Sequence, residues 1–157
     1  MTAEELLERY EKGERDFSGV DFNRINLEGY IFNAANFSQA IFKQSAIDSV
    51  EFLNCNFKGA DLSESDFFDV LISQCNLESA NLAKTILVET TLENVNLIKA
   101  NLRFTSWGDT SYLFDSDLRE AIWQDINDYP LRRNTIMPNG EVVTDEIELP
   151  DGSKIIP

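Results

Sequence analysis

Every fifth residue from Phe17 to Trp107 is large and apolar. The series runs Phe17, Phe22, Leu27, Phe32, Phe37 and onward through Leu97 and Leu102 without a break. Two residues before each centre sits a mostly small side chain, as at Ala35, Ala40, Ser45, Cys55, Ala60, Cys75, Ala80 and Ala100. A helix repeats about every 3.6 residues and a flat strand every second residue, so neither keeps this series on one side. A period of five with two inward positions demands a chain that turns after each short extended piece. The remaining three positions of each unit, Ser63 among them, point outward. A longer period lies on top of the short one. Ala40, Ala60, Ala80 and Ala100 share one column, Asn36, Asn56, Asn76 and Asn96 a second, and Phe17, Phe37 and Phe57 a third. Four units therefore close one square turn of a coil, and a repeat of this kind stacks turn on turn.

Units such as Ala60-Asp61-Leu62-Ser63-Glu64, Ala80-Asn81-Leu82-Ala83-Lys84 and Ala100-Asn101-Leu102-Arg103-Phe104 resemble the pentapeptide-repeat family, whose consensus is A(D/N)LXX. The resemblance covers about two thirds of the chain and is nearest to the small single-domain members common in cyanobacteria. The segment from Thr135 to Gly140 adds to that likeness. The resemblance implies an all-β fold, a right-handed quadrilateral parallel β-helix. It says little of activity, because members of the family are functionally diverse.

The ends read as caps, since a stacked coil exposes an apolar cross-section at each end. Thr2-Ala3-Glu4-Glu5 has capping-box spacing, Leu6, Leu7 and Tyr10 form one apolar stripe, and Gly13 suits a helix stop. A short helix from about Ala3 to Lys12 is expected over the first turn. After Trp107 the register slips. A one-residue insertion near Thr110 restores it in Ser111-Tyr112-Leu113, Ser116-Asp117-Leu118 and Ala121-Ile122-Trp123. The alternative for that stretch is a helix from Leu118 to Ile126, started by Asp117 with Glu120 at the third position. The small-x-large form favours the coil, which gives a solenoid of about five and a half turns. Pro138-Asn139-Gly140 and Pro150-Asp151-Gly152 are turns between strand-like residues and predict small hairpins, capping the last turn or reaching to a second molecule. The organisation is an N-terminal helical cap over residues 1–14, a β-helix over 15–125, and a C-terminal loop and hairpin cap over 126–157.

The chain has no histidine, which excludes Ser-His-Asp and Cys-His nucleophiles and any imidazole ligand. No phosphate-binding glycine pattern is present. Cys55 and Cys75 fall one turn apart at inward positions and read as small core residues, with a redox pair or metal site as the lesser reading. Asp21, Asp61 and Asp66 lie where the repeat takes Asp or Asn alike, so a backbone hydrogen-bonding role outweighs catalysis. The asparagine column from Asn36 to Asn96 reads as a structural ladder. Asp115 and Asp117 form a DxD that could hold a hard cation, although two ligands are a weak signal. No catalytic residue, cofactor or metal is assigned, and the chain is read as a non-enzyme.

The net charge is −15, and it is spread along the chain: residues 15–125 hold seventeen acids and eight bases. Such a surface reads first as a source of solubility for a repeat protein; it repels nucleic acid and anionic membranes and can attract a basic partner. Without a leader or an apolar span, a cytoplasmic location is the default expectation. The outward positions carry one apolar cluster: Phe68 and Val88 in one column, Ile86 on the same face, Leu71 and Leu53 on the next. Ile41, Ile98 and Phe104 look scattered. An apolar patch on an acidic solenoid can mark a protein contact, unless the helix, the tail or the insertion loop covers it. The expected function is a non-enzymatic interaction or scaffold module, acidic on most faces and apolar on one, with an unidentified protein partner. A homodimer through an end cap or the tail is a further possibility. The alternative that the resemblance supplies is a DNA mimic binding DNA gyrase or another DNA-binding protein, as some family members do.

Overall fold

A five-residue repeat must change direction once per unit, and the backbone shows where. The residue two positions after each apolar centre has a positive φ, from Gly19 (65°) and Arg24 (60°) through Ala34, Gln39, Gln44 and onward to Phe104 (60°). Most of these residues are not glycine, so each turn carries about 1–2 kcal/mol of left-handed strain. Hydrogen bonds between successive turns offset that strain. The amide of Phe37 donates to the Asn56 carbonyl at 2.7 Å and that of Gln39 to the Lys58 carbonyl at 2.9 Å, while Asn56 donates back to Ala35 at 3.0 Å. The same pattern recurs around the coil.

A computed structural model describes residues 1–108, 110–148 and 153–156. One helix, α1 (Ala3–Glu11), precedes the coil. The strands follow as β1 (Asn26–Glu28), β2 (Ile31–Asn33), β3 (Ala46–Asp48), β4 (Glu51–Leu53), β5 (Asp66–Phe68), β6 (Leu71–Ser73), β7 (Ile86–Val88) and β8 (Thr91–Glu93). Next come β9 (Ser106–Trp107), β10 (Tyr112–Phe114), β11 (Leu131–Arg133), β12 (Thr135–Ile136), β13 (Val142–Val143), β14 (Ile147–Glu148) and β15 (Lys154–Ile155). Strands β1, β3, β5, β7 and β9 stack in parallel on one face, and β2, β4, β6, β8, β10 and β11 on the next. The other two faces are parallel ladders of single bridges, Asp16 to Asn36 to Asn56 to Asn76 to Asn96 and Asp21 to Ile41 to Asp61 to Asn81 to Asn101. The fold is the expected parallel β-helix of four faces.

All nineteen centres from Phe17 to Trp107 are buried. Phenylalanine fills the first turns as stacked columns, Phe17 on Phe37 on Phe57 with centroids 5.6 and 5.1 Å apart, and Phe22 on Phe42 at 4.7 Å. Such contacts hold about 0.5–1.5 kcal/mol each beyond their burial. From Ile25 to Thr105 the inward small positions are buried too, apart from half-buried Tyr30. One outward assignment is corrected. Ser63 is only 5% exposed: it is small and lies between Lys43 and Ala83 of adjacent turns, where the Lys43 side chain reaches across to Glu64 at 3.2 Å.

The helix cap is present. Thr2 and Glu5 form the capping box, the helix ends at Glu11 with Lys12 as its C-cap, and Leu6 is fully buried. Tyr10 packs edge-on against Phe32 at 4.9 Å, and its hydroxyl both accepts from the Asn33 amide (2.7 Å) and donates to the Asn33 carbonyl (3.2 Å). The open edge of β2 is thereby closed.

At the other end the insertion is real. Leu113 pairs with Leu92 and Asp117 with Asn96, twenty-one residues apart instead of twenty. Residues 113–125 form coil, and Leu113 and Leu118 are buried as centres. The expected stop at Asp125 is corrected, because β11 adds to the sheet beside β10 and Ile136 bridges Asp117. The sequence hides this turn because its inward position opposite Leu113 is Arg132. Arg132 points at Asp145 of the tail, which takes its backbone amide at 2.8 Å and its guanidinium at 2.9 and 2.8 Å. A paired charge in the place of a core residue ends the apolar column. The hairpin of β12 and β13 around Asn139-Gly140 forms as expected, as does the pairing of β14 with β15. The turn expected at Pro150-Asp151-Gly152 lies outside the described residues.

Candidate functional site

Two kinds of side-chain ladder, one on the outer faces and one inside the coil, account for most residues that could carry chemistry. In the first, Asn56 donates its side-chain amide to Asn36 Oδ1 at 3.0 Å, and Asn36 donates to Asp16 at 2.9 Å. A parallel ladder runs from Asn101 through Asn81 to Asp61, with bonds of 3.1 and 3.0 Å. Each Oδ1 also accepts the backbone amide two residues on, as Asn81 does from Ala83 at 3.2 Å. Donation runs toward the N-terminal turn, so an acceptor-only aspartate fits at the start of a ladder. Asp16 is such an end, and hydrogen bonds from Ser18 and Asn36 hold its carboxyl below the usual range. Asp21 opens the column that Ile41 then interrupts, and its Oδ1 accepts the Asn23 amide at 2.8 Å.

In the second ladder, inward hydroxyls and thiols replace one another. Ser65 Oγ accepts the Ser45 amide at 3.0 Å and donates to the Phe42 carbonyl at 2.7 Å. Cys75 Sγ accepts the Cys55 amide at 3.2 Å and lies 3.3 Å from the Phe52 carbonyl. The two cysteines are buried free thiols in a serine's role. Hydrogen bonding to Cys55 and burial push the Cys75 thiol up, which keeps it protonated and inert.

The DxD is split between two faces. Asp115 sits at a corner and accepts from Arg133 (2.8 Å) and Asn134 (3.0 Å), while Asp117 is held by Arg119. Those hydrogen bonds hold both carboxyls below their ordinary values. Among the described residues no group of His, Cys, Asp or Glu is arranged to hold a metal ion.

The expected apolar cluster is partly assembled. Phe68 and Val88 are paired neighbours on β5 and β7, and Ile86 lies two residues along β7 on the same outward side. Phe68 is 47% and Ile86 45% exposed, with Val88 half-buried. Leu71 lies round the corner on β6, half-buried. Leu53 is set apart, flanked by Asn33 and Ser73 in its own column. The helix packs on the first turn, away from the cluster. The bulge at Gly108 lies on Val88, so close that a Cβ there would meet the Val88 Cα at 3.2 Å. Phe68 and Ile86 stay open.

Folding the chain into four faces changes the reading of its charge. The two bridge-ladder faces, residues 15–24, 35–44, 55–64, 75–84, 95–104 and 116–125, hold eight acids and eight bases. Over the same turns the two strand faces, residues 25–34, 45–54, 65–74, 85–94 and 105–115, hold eight acids and no base among the described residues, and the first bases on that side are Arg132 and Arg133 of β11. The expectation of acid on most faces is therefore corrected: the negative charge gathers on the half that carries Phe68. On the balanced half five of the eight carboxylates are ion-paired, Glu64 with Lys43, Glu78 with Lys58, Glu120 with Lys99, Asp125 with Arg103 and Asp117 with Arg119, at 2.6–3.6 Å, while Asp16, Asp21 and Asp61 accept hydrogen bonds from Asn36, the Asn23 amide and Asn81. On the strand half, among the described residues, Glu28, Asp48, Glu51, Asp66, Asp69 and Glu89 form no ion pair; only its last acids, Glu93 and Asp115, reach a base, Arg133 of β11. Beside the apolar cluster, Glu51, Asp69 and Glu89 rim a corner notch of about 310 Å³, lined also by Val70, Leu71 and Thr91.

This coil has relatives. Two family models match the chain, a pentapeptide repeat region over residues 15–82 and pentapeptide repeats in eight copies over residues 75–106. The chain belongs to the pentapeptide-repeat family. Two solved pentapeptide-repeat proteins share its fold. One is HetL, involved in heterocyst differentiation regulation in the cyanobacterium Nostoc sp. strain PCC 7120, at 19% identity and a TM-score of 0.50 over 91% of this chain and 100% of that one. The other is Rfr23 from the cyanobacterium Cyanothece 51142, at 20% identity and a TM-score of 0.50 over 83% and 96%. At such identities the likeness concerns the fold. No curated protein matches the chain. Among the described residues no helix is long and apolar enough to cross a membrane.

Proposed function

We propose that this pentapeptide-repeat protein is a non-enzymatic interaction module that presents one rigid face of its coil to a protein partner in the cytoplasm. The observation that carries the reading is the coincidence of open Phe68 and Ile86, with half-buried Val88 beside them, with the half of the coil on which Glu28, Asp48, Glu51, Asp66, Asp69 and Glu89 form no ion pair among the described residues. A surface held by stacked turns loses little freedom on binding, which lowers the ordering cost of association. Large aromatic residues are the usual anchors of such contacts. Leu71 belongs to this contact patch as its corner neighbour, with Leu53 at its margin.

The DNA-mimic reading has less support. A DNA strand places a charge about every 3.4 Å along its axis. Here no column holds more than two acids in succession among the described residues, and the coil's other half is neutral. The test is affinity purification from the source cell with the native chain and with Phe68→Glu. The native chain is expected to retain a protein that the variant loses while its melting curve stays unchanged. Identical sets of retained proteins would remove the patch from the function.

A further inference from the structure

We infer that the strand-bearing half of the coil is a docking surface for a basic amphipathic segment of a partner protein, a short stretch carrying lysine or arginine beside exposed apolar side chains. This deepens the interaction reading above and rests on it. Three features of one surface define the occupant. Phe68 and Ile86 supply an open apolar platform, with Val88 beneath the Gly108 bulge closing one side. Directly round the corner, Glu51, Asp69 and Glu89 rim the notch floored by Val70 and Leu71. Among the described residues no lysine or arginine forms an ion pair with these three, whereas Glu64 and Glu78 on the opposite half are paired with Lys43 and Lys58.

Charge complementarity then sets the sign of the partner. An apolar ligand alone would leave the carboxylates half desolvated and without a counter-charge, which costs free energy. A purely basic ligand would leave the apolar platform in water. Anionic ligands, nucleic acid and acidic lipid among them, are repelled. A segment carrying both chemistries satisfies platform and notch together: an apolar side chain on Phe68 and Ile86, cationic ends in the notch, where the charge also speeds encounter.

The probe is a fluorescein-labelled synthetic peptide of repeating Lys-Leu-Lys, compared with a charge-matched peptide in which serine replaces leucine and with a Glu-Leu-Glu counterpart, each titrated into the full chain. The Lys-Leu-Lys peptide is expected to bind at least about tenfold more tightly than the serine peptide, a difference of about 1.4 kcal/mol, and the acidic peptide not to bind. Phe68→Ser, and separately Asp69→Asn combined with Glu89→Gln, are each expected to weaken binding about tenfold. Asparagine suits the left-handed backbone at Asp69, so that pair of changes keeps the coil. Glu64→Gln combined with Glu78→Gln, on the balanced half, is expected to leave binding within about twofold. Equal binding of the leucine and serine peptides, equal loss from both pairs of acid changes, or no binding at all overturns the inference. So does a concentration-dependent dimer that Phe68→Ser splits, which would place a second copy on the patch. If the native chain retains a Phe68-dependent partner that the Lys-Leu-Lys peptide does not displace, the interaction reading stands and the basic chemistry falls. If no partner depends on Phe68, the interaction reading falls first.

Discussion

Asn81→Asp changes one atom group and should break the second asparagine ladder in a way that depends on pH. In the native chain the Asn81 side-chain amide donates to Asp61 Oδ1 at 3.0 Å, while its Oδ1 accepts from Asn101 Nδ2 and from the Ala83 amide. The aspartate keeps both acceptances and loses the donation, so two carboxylates face each other. With charge centres about 4 Å apart and an effective dielectric constant near 20, the repulsion is about 4 kcal/mol. Both side chains are half-buried, and solvent screening brings this to about 2 kcal/mol. The lost hydrogen bond adds about 1 kcal/mol. A total of about 2–3 kcal/mol lowers the melting temperature of a chain this size by about 5–10 °C. The pair can share one proton, so its folded pKa rises above the unfolded value of about 3.9. Stability is then retained below about pH 4 and lost as pH rises through the raised folded value. Urea unfolding of native chain and variant at pH 3.5 and pH 7 measures the difference. Adding Asp61→Asn to the variant removes the second charge and should restore most of the loss at pH 7, a coupling that a double-mutant cycle isolates. A loss that is equal at both pH values, or that Asp61→Asn does not relieve, would refute the ladder as a source of stability.

Ala80→Phe should overpack the interior and cost about 1–3 kcal/mol, whereas Asn23→Phe at an exposed outward position should change stability by less than about 0.5 kcal/mol; equal shifts in denaturant melts would reject the inward assignment. Cys55 and Cys75 should resist an alkylating reagent in the native state and react within minutes once unfolded, and rapid native labelling would contradict their burial. The Arg132–Asp145 pair should hold the tail at neutral pH. Burial works to raise the Asp145 carboxyl, yet the Arg132 hydrogen bonds outweigh it and hold it below the usual range, so the tail's protection from amide exchange should be present above about pH 4 and fall as pH drops through the lowered value. Arg132→Leu should loosen the tail at every pH and promote end-to-end association, visible in light scattering; an unchanged monomer with a protected tail would show that the charge does not terminate the stack.

The period of five made the coil legible because each turn repeats one packing problem, a large centre beside a small neighbour. Where that chemistry changes, the sequence stops speaking. Arg132 occupies a centre but is polar, so the last turn is invisible to an apolar pattern. The left-handed corners leave no glycine signature either, since residues as unlike as Arg24, Ala34 and Phe104 occupy them. Ser63 looks outward by register, yet its neighbours cover it. The charge division, by contrast, was present in the sequence. It needs only the period of twenty, read in alternate blocks of ten, and is lost when acids are summed along the chain.

That division is not a requirement of the coil. Outward side chains in this repeat touch mainly the residues above and below them, so a base could stand in almost any outward column, as Lys43, Lys58, Lys99 and Arg103 do on the balanced half. Placing a lysine beside Asp69 or Glu89 would relieve repulsion between neighbouring turns about 4.8 Å apart. The strand half forgoes that relief from Glu28 to Glu89 and sets its most exposed aromatic side chain, Phe68, in the middle of the same surface. Folding gains nothing from either choice: unpaired like charges weaken the stack, and an exposed phenylalanine contributes little to the core. Solubility accounts for unpaired charge but not for the exposed phenylalanine among it; a basic and partly apolar partner, as inferred above, would account for both, and the peptide titration measures that free energy directly.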